Sequence, residues 1–259
     1  MSPLKEVKKL NLEVTGAKIL FEIPILGGIT ITETVVNMWI IMAVIVGLCL
    51  FLTHGMKVHA RTKRQIIAEF IVKKVNGMVR ENMGDKFAQS NYPPLIASIM
   101  ALSAFCSLSS LVGMYAPTSD LSTLLGWALM VFVLITYNKV RANGVLGYFK
   151  GYTEPIPVLT PFNIISEIAT PISMAFRHFG NIASGSVITA LVYAALAALS
   201  HAVFSLIPGA VGEVLSQIPL LQIGIPAVLS IYFDLFSSCL QAFIFCMLTM
   251  MYIGSAAEA

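Results

Sequence analysis

Residues 171–199 read PISMAFRHFGNIASGSVITALVYAALAAL. A membrane-spanning helix needs about 20 mostly apolar residues, and this run exceeds that while holding one arginine, Arg177, and no acid. A charged side chain at that depth costs at least about 2.5–3.5 kcal/mol. Its neighbours three and four residues away are Ser173, Met174, Gly180 and Asn181, so no acid within one helical turn neutralises it. The counter-charge has to come from another helix, another subunit or a transported ion. The plainer alternative is an arginine snorkelling to the interface, but the apolar runs on both sides are longer than the roughly one or two turns such a side chain bridges. Gly180, Ala183, Ser184 and Gly185 supply small side chains beside it, and small residues let another helix come close in lipid. Ordinary small-residue packing would look the same. Asn181, one turn on, can hydrogen-bond a passing group or a water. His178 points about 100° away from Arg177 and, like Ser186, is a weaker signal, since lone histidines are more often held by packing.

The rest of the chain fits the same solvent. Of its 259 residues 57% are hydrophobic and 11% charged, against about 45–50% and 25% in soluble domains. The net charge of +3 is small and dispersed, which gives no footprint for nucleic acid. Five segments are long and apolar enough to span: about Thr34–Leu52, Pro94–Tyr115, Leu121–Tyr137, Ile164–Leu199 and Pro226–Ile253. The expected fold is therefore an all-α integral membrane protein of five to six transmembrane or membrane-embedded helices in a single domain, residues 1–259. Residues 1–33 form an outer N-terminal segment, 54–92 a cytoplasmic stretch, and 164–253 the helices of an ion path. The fourth and fifth segments exceed a perpendicular span, so they either tilt as a long hairpin or break, with Pro161, Pro171, Pro208, Pro219 and Pro226 as candidate break points. No internal repeat is evident, which leaves the inverted-repeat transporter plan without support.

Charge sets the expected orientation. Lys57, Arg61, Lys63, Arg64, Lys73, Lys74, Arg80 and Lys86 follow the first span, and Lys139, Arg141 and Lys150 follow the third. The second and fourth connections hold no lysine or arginine. Both basic stretches are then cytoplasmic, with the N-terminus outside and the C-terminus inside. Lys5, Lys8, Lys9 and Lys18 argue the other way, but Glu6, Glu13, Glu22 and Glu33 offset them. The N-terminus does not read as a signal peptide, so the first span is expected to direct insertion. Ile66, Ile67, Phe70, Ile71 and Val75 fall at helical spacing among charges. They mark an amphipathic helix lying on the membrane face or packed on another subunit. The cysteines Cys49, Cys106, Cys239 and Cys246 each sit in an apolar run without a CxxC partner and read as small buried hydrophobes.

The last span supplies a complementary polar set. Asp234 lies in SIYFDLFSSCLQAFIFCMLTMMYI, and Asp234, Ser238 and Gln241 share one helical face. Such a stripe at membrane depth lines a water-filled ion path, or Asp234 pairs structurally with Arg177. Glu167 precedes Arg177 by ten residues and is displaced about 80° around the helix; it lines the path or sits at the cytoplasmic interface. Asp120, after Pro117, Thr118 and Ser119, lines an outer opening or caps the third helix. No GxxxxGK[ST] loop and no HExxH are present, and the serines near Ser184 form no GxSxG elbow. These residues leave an ion-path subunit, a stand-alone secondary proton or sodium transporter, and a non-conducting membrane scaffold as readings from different classes.

Two motifs carry a resemblance. FRHFGNIASG, with Arg177, Gly180 and Asn181, looks like the arginine-bearing RLFGN helix of subunit a of bacterial F-type ATP synthases. LQAFIFCMLTMMYI, with Gln241, is similar to that family's last helix. PTSDL and PFNII also fit, and the likeness is close from about Ala116 onward. The resemblance implies a non-catalytic ion-translocating stator subunit of the Fo sector in the bacterial cell membrane. Two half-channels would load and unload protons, or sodium ions, on a rotor c-ring, coupling ion flow to ATP synthesis. The implied partners are the c-ring, the subunit b stalk and lipid; no cofactor or metal is implied. Arg177 would meet each passing rotor carboxylate and Gln241 would face the arginine region, with Asn181 and Glu167 at matching polar positions. The family often places a partnered acid and histidine on the last two helices. Here those positions read Ser186 and Asp234, so an acid is kept on the last helix only.

Overall fold

A computed structural model describes residues 17–23, 29–58, 62–153, 156–204, 228–229 and 231–258. A short antiparallel hairpin, β1 (Ile19–Ile23) and β2 (Ile29–Thr32), leads into α1 (Glu33–Thr53). Then follow α2 (Lys63–Met83), the one-turn α3 (Asp85–Ala88), α4 (Tyr92–Leu108), two 3₁₀ turns (Ser109–Val112 and Pro117–Ser119), α5 (Leu121–Gly151), a 3₁₀ turn (Pro157–Leu159) and α6 (Thr160–Phe204). A π-helical segment (Ile231–Ser237) runs directly into α7 (Ser238–Glu258). Five of these stretches are long and apolar enough to cross a membrane, and the described residues are all-α apart from the small hairpin. The hairpin is an addition to the expected plan. ITIT alternates with a strand-like period and ILFEI is apolar but for Glu22, but both pieces are short and sit next to a far stronger helical signal.

The core lies where α7 meets its neighbours. Phe245, Cys246, Met250 and Ile253 of α7 pack with Ile96 and Ile99 of α4, Val131 and Ile135 of α5, Met174 of α6, and Val75 and Val79 of α2. Gly254 permits a close approach of α7 to α2: a Cβ there would stand 3.1 Å from the Asn82 carbonyl oxygen. Elsewhere the spanning helices show large apolar side chains outward, including Phe51, Leu129, Ile165 and Leu191. Lipid is the solvent that accepts such surfaces. Two of the four cysteines, Cys106 and Cys246, are buried as expected, whereas Cys49 and Cys239 are exposed.

The fourth span does not break. Pro171 is buried inside α6, and Pro161 sits in its first turn, where a missing N–H costs nothing. At about 1.5 Å per residue, the 45 residues of α6 measure about 68 Å. Upright, more than half of it would leave a hydrocarbon core of about 30 Å. Asn181 lies beside Ser237, and His178 beside Phe245 further along α7. α6 and the last span therefore run antiparallel, as the hairpin reading expects. Pro208, Pro219 and Pro226, and the connection they belong to, lie outside the described residues, as do the charges of the tail from Lys5 to Glu13.

The basic stretch after the third span, read as a connection, is helical, and the one after the first span holds the helix that its spacing marked. α5 continues past Tyr137 and carries Lys139, Arg141 and Lys150, with a break at Gly144 (φ 71°), a conformation glycine adopts without penalty. α2 begins on Thr62, whose hydroxyl accepts the Gln65 N–H. It buries Ala68, Val75, Val79 and Met83 inside this chain and leaves Ile66, Ile67, Phe70 and Ile71 outward. The Val75 face is thus covered by the chain's own helices, and the amphipathic face is narrower than the spacing suggested.

Candidate functional site

Arg177, Gly180, Ser184, Val187 and Leu191 are all exposed on α6, and their spacing of three and four places them in one stripe along it. The opposite face, with Met174, Ala175, His178 and Gly185, is buried. Among the described residues Arg177 makes no hydrogen bond and no ion pair, so the structural Arg177–Asp234 pair is not formed. The small residues divide their work. Gly185 faces the chain's own last span, where a Cβ would meet the Phe233 ring at 3.2 Å, while nothing stands within 4 Å of a Cβ at Gly180. The stripe bearing Arg177 is open along the side that Gly180 and Ser184 share.

Asn181 does not point into this open stripe. Its amide donates to Ser237 Oγ at 2.7 Å, and the Ser237 hydroxyl lies 3.0 Å from Asn181 Oδ1. This exchange ties α6 to the π-helical segment one turn from Arg177. At its end the Ser238 hydroxyl donates to the Phe233 carbonyl at 3.4 Å. Single π-helical turns inside α-helices concentrate at functional sites. Here the turn holds Asp234, which is half-buried, as is Gln241 further along. Ser186 is exposed and its hydroxyl donates to the Ala183 carbonyl at 2.8 Å.

Glu167 belongs to a second cluster. Lys139 Nζ of α5 donates to its Oε1 at 3.0 Å, and Tyr148 donates to the same oxygen at 3.3 Å. Tyr148 and Tyr152 share a hydrogen bond, and Asn163 donates to the Tyr152 carbonyl at 2.9 Å. Burial first, then Glu167 and Tyr148, push the Tyr152 phenol above its ordinary range, so it stays protonated. The cluster lines a cavity of about 500 Å³ with Thr170 and Ser255. The bend at Gly144 redirects the end of α5 that carries both tyrosines. At ten residues' distance Glu167 stands about 15 Å along α6 from Arg177.

Asp120 lies at the opposite end of the bundle. Its carboxylate accepts the Ser122 N–H at 3.0 Å and the Ser122 hydroxyl at 2.7 Å, capping α5, and Thr34 of α1 donates to it at 3.3 Å. The cap reading is observed, with a tie to α1 besides. α2 and the end of α7 share the other end, since Asn82 and Met83 touch Gly254.

Sequence reasoning undervalued two features. His178 is 1% exposed, its Nε2 lies 3.3 Å from Ser107 Oγ of α4, and its Nδ1 has no partner among the described residues. The Lys139–Glu167 pair joins residues far apart in sequence, and no spacing announces it. The π turn has no sequence signal.

The chain's relatives bear on this arrangement. The model of the family described as ATP synthase A chain matches residues 35–254. ATP synthase subunit a of Desulforamulus reducens is 31% identical over 232 residues, covering 89% of this chain and 81% of its own length. ATP synthase subunit a 1 of Hahella chejuensis is 33% identical over 234 residues, covering 90% and 87%. A Propionigenium modestum protein named ATP synthase subunit a, sodium ion specific, is 29% identical, with 95% and 87% covered. With the match running through α1, the arginine helix and the last span, the chain belongs to the ATP synthase A chain family.

Proposed function

We infer that this chain is the ion-translocating stator subunit of an Fo sector, and that it loads and unloads ions on a rotor c-ring. The observation that carries this is Arg177: exposed on α6, without an ion pair among the described residues, beside Gly180, where nothing stands within 4 Å of a Cβ. A fixed charge that the chain itself does not neutralise, at membrane depth, calls for an external counter-charge. A rotor carboxylate meets that need. Ionised, it is attracted to Arg177; once it binds an ion it is neutral and can enter lipid, where the bare charge could not go. A free cation is repelled by Arg177, so ions cannot leak straight through.

Two aqueous half-channels complete the cycle. Asp234, Gln241 and Ser186 line the outer one, with Asp120 near its entrance. Glu167 and the 500 Å³ cavity lie at the other end, with Lys139, Arg141 and Lys150 nearby. The basic side of the bundle is cytoplasmic, the N-terminus is outside, and the membrane is the bacterial cell membrane. Subunit b and lipid cover the remaining outer faces. Chemistry on ATP takes place elsewhere in the complex.

The test is ion flux in vesicles that hold the assembled complex, with and without the rotor ring. Flux should require the ring; ring-independent, saturable exchange would favour a stand-alone transporter instead. Asp234→Asn should slow ion flux about tenfold or more, as expected for loss of a proton-exchanging group, without loss of assembly on affinity purification. Unchanged flux would remove Asp234 from the outer path.

A further inference from the structure

The corner between α1 and α2 holds a cavity that the ion path does not use. It measures about 520 Å³, within the size range of small-molecule sites. Thr53 and Met56, at the end of α1 and just beyond it, form one wall, and α2 forms the other with Val72, Lys73, Asn76 and Arg80. Gly77 lies between the two basic residues in that lining, and nothing stands within 4 Å of a Cβ there. The corner is fastened in place. Gln65 bonds both backbone groups of Lys57, at 3.1 and 3.0 Å, and the Arg64 guanidinium lies over the Phe51 ring, 4.8 Å from its centroid. Lys73 makes no hydrogen bond or ion pair among the described residues. Arg80 reaches Asp85 through Nε at 2.8 Å, which leaves its terminal nitrogens as further donors. Glu69, the acid in the lining, accepts from Gln65 at 2.9 Å. The cavity therefore carries an excess of positive charge.

Depth says what that charge meets. α1 has 21 residues and is about 32 Å long, close to a hydrocarbon core of about 30 Å, so Thr53 stands at headgroup level. Below it Leu50, Cys49, Val46, Met42 and Trp39 are exposed, and their spacing puts them in one stripe with Thr53. A basic cavity at headgroup level above an exposed apolar stripe matches a molecule with an anionic head and acyl chains. We propose that the α1–α2 corner binds an anionic glycerophospholipid, of the phosphatidylglycerol class, in the leaflet on the basic side of the bundle. Its phosphate accepts from Lys73 and from the terminal nitrogens of Arg80, Asn76 bonds the glycerol, and the acyl chains lie along the α1 stripe. Basic pockets beside spanning helices on the cytoplasmic side suit such headgroups. A zwitterionic head fits worse, because its cation meets Lys73 and Arg80 while Glu69 is already engaged by Gln65. An apolar partner helix would cover the stripe but bring no anion to the cavity. The inference needs the membrane-spanning architecture and not the ion path, so its outcome is separate from that of Arg177.

The test is photolabelling of the assembled complex in vesicles. One preparation carries phosphatidylglycerol and the other phosphatidylcholine, each with a photoactivatable acyl chain. Label on the α1–α2 corner is mapped by mass and divided by label at Leu129 and Val133, which are exposed on α5. One basic side chain near the surface is worth about fivefold in affinity for an anionic lipid. With two cations and one acid in the lining, phosphatidylglycerol should label the corner about fivefold more than phosphatidylcholine. The double variant Lys73→Gln with Arg80→Gln should lose this preference. Gly77→Leu, which fills the cavity and changes no charge, should lose it too. These positions leave the buried face of α2 intact, so both proteins should assemble. Equal labelling by the two lipids in the wild type overturns the proposal. A preference kept in Gly77→Leu or in the double variant also overturns it, since general surface charge and not the cavity is then at work. Inorganic phosphate that abolishes the preference, at constant ionic strength, marks a site for a soluble anion instead. Loss of the subunit b stalk from the affinity-purified double variant assigns the corner to a protein partner and excludes the lipid.

Discussion

Arg177→Ala is expected to abolish ATP-coupled ion transport in a complex that still assembles. The side chain is exposed and makes no hydrogen bond or ion pair among the described residues, so its loss removes charge before it removes packing. The helix stays tied by Asn181 to Ser237 and by Met174 in the core. A charge retained at membrane depth carries a cost of at least about 2.5–3.5 kcal/mol. An interaction with the rotor carboxylate that offsets this is worth roughly a hundredfold in coupling. ATP synthesis should therefore fall below about one-hundredth of wild type. Passive ion leak should rise once a rotor is present, because nothing separates the half-channels. Arg177→Lys should fail nearly as completely, since a compact ammonium lacks the planar fork that meets a carboxylate with two hydrogen bonds. ATP synthesis and gradient decay in the same vesicles measure both effects. Coupled synthesis near the wild-type rate in Arg177→Ala would remove this residue from the mechanism.

The sequence made Arg177 visible because hydropathy is a one-dimensional property. An apolar run is written in consecutive residues, and a charge inside it stands out without knowledge of the fold. The same reason made the five spans and the length of α6 legible. What stayed hidden depends on neighbours from other helices. His178 was discounted because its partner Ser107 lies 71 positions away. Glu167 was placed by its angle from Arg177, when its surroundings are set by Lys139 and Tyr148 on α5. Asp120 was readable as a cap, since its partner Ser122 is local, but its bond to Thr34 was not. By spacing alone the small residues form one groove for a foreign helix. The structure divides them: Gly185 serves the chain's own hairpin, and Gly180 remains open. Residues on one helix share a face by spacing alone, but what covers that face is a tertiary fact.

The second large effect falls on stability. Lys139→Met should destabilise the bundle by about 2–3 kcal/mol. Glu167 keeps only 8% of its side chain exposed and Lys139 keeps 32%. Removing one partner of a buried pair leaves a carboxylate without its counter-charge, which costs about 3–5 kcal/mol when both groups are buried. The partial exposure of Lys139 screens some of that, hence the lower figure. Glu167→Gln should cost much less. Its amide oxygen can still accept from Tyr148, and the lysine left behind can turn to solvent. The double variant Lys139→Met with Glu167→Gln should recover most of the loss, because no unpaired charge remains. Thermal unfolding of the four proteins in one detergent forms a double-mutant cycle that isolates the pair. Flux then separates fastening from transport: if Glu167 serves only to hold α6 on α5, the double variant recovers flux along with stability. If Glu167 also exchanges ions in the cavity beside it, stability returns and flux does not. A Lys139→Met protein as stable as wild type would show that the pair contributes nothing to holding these helices together.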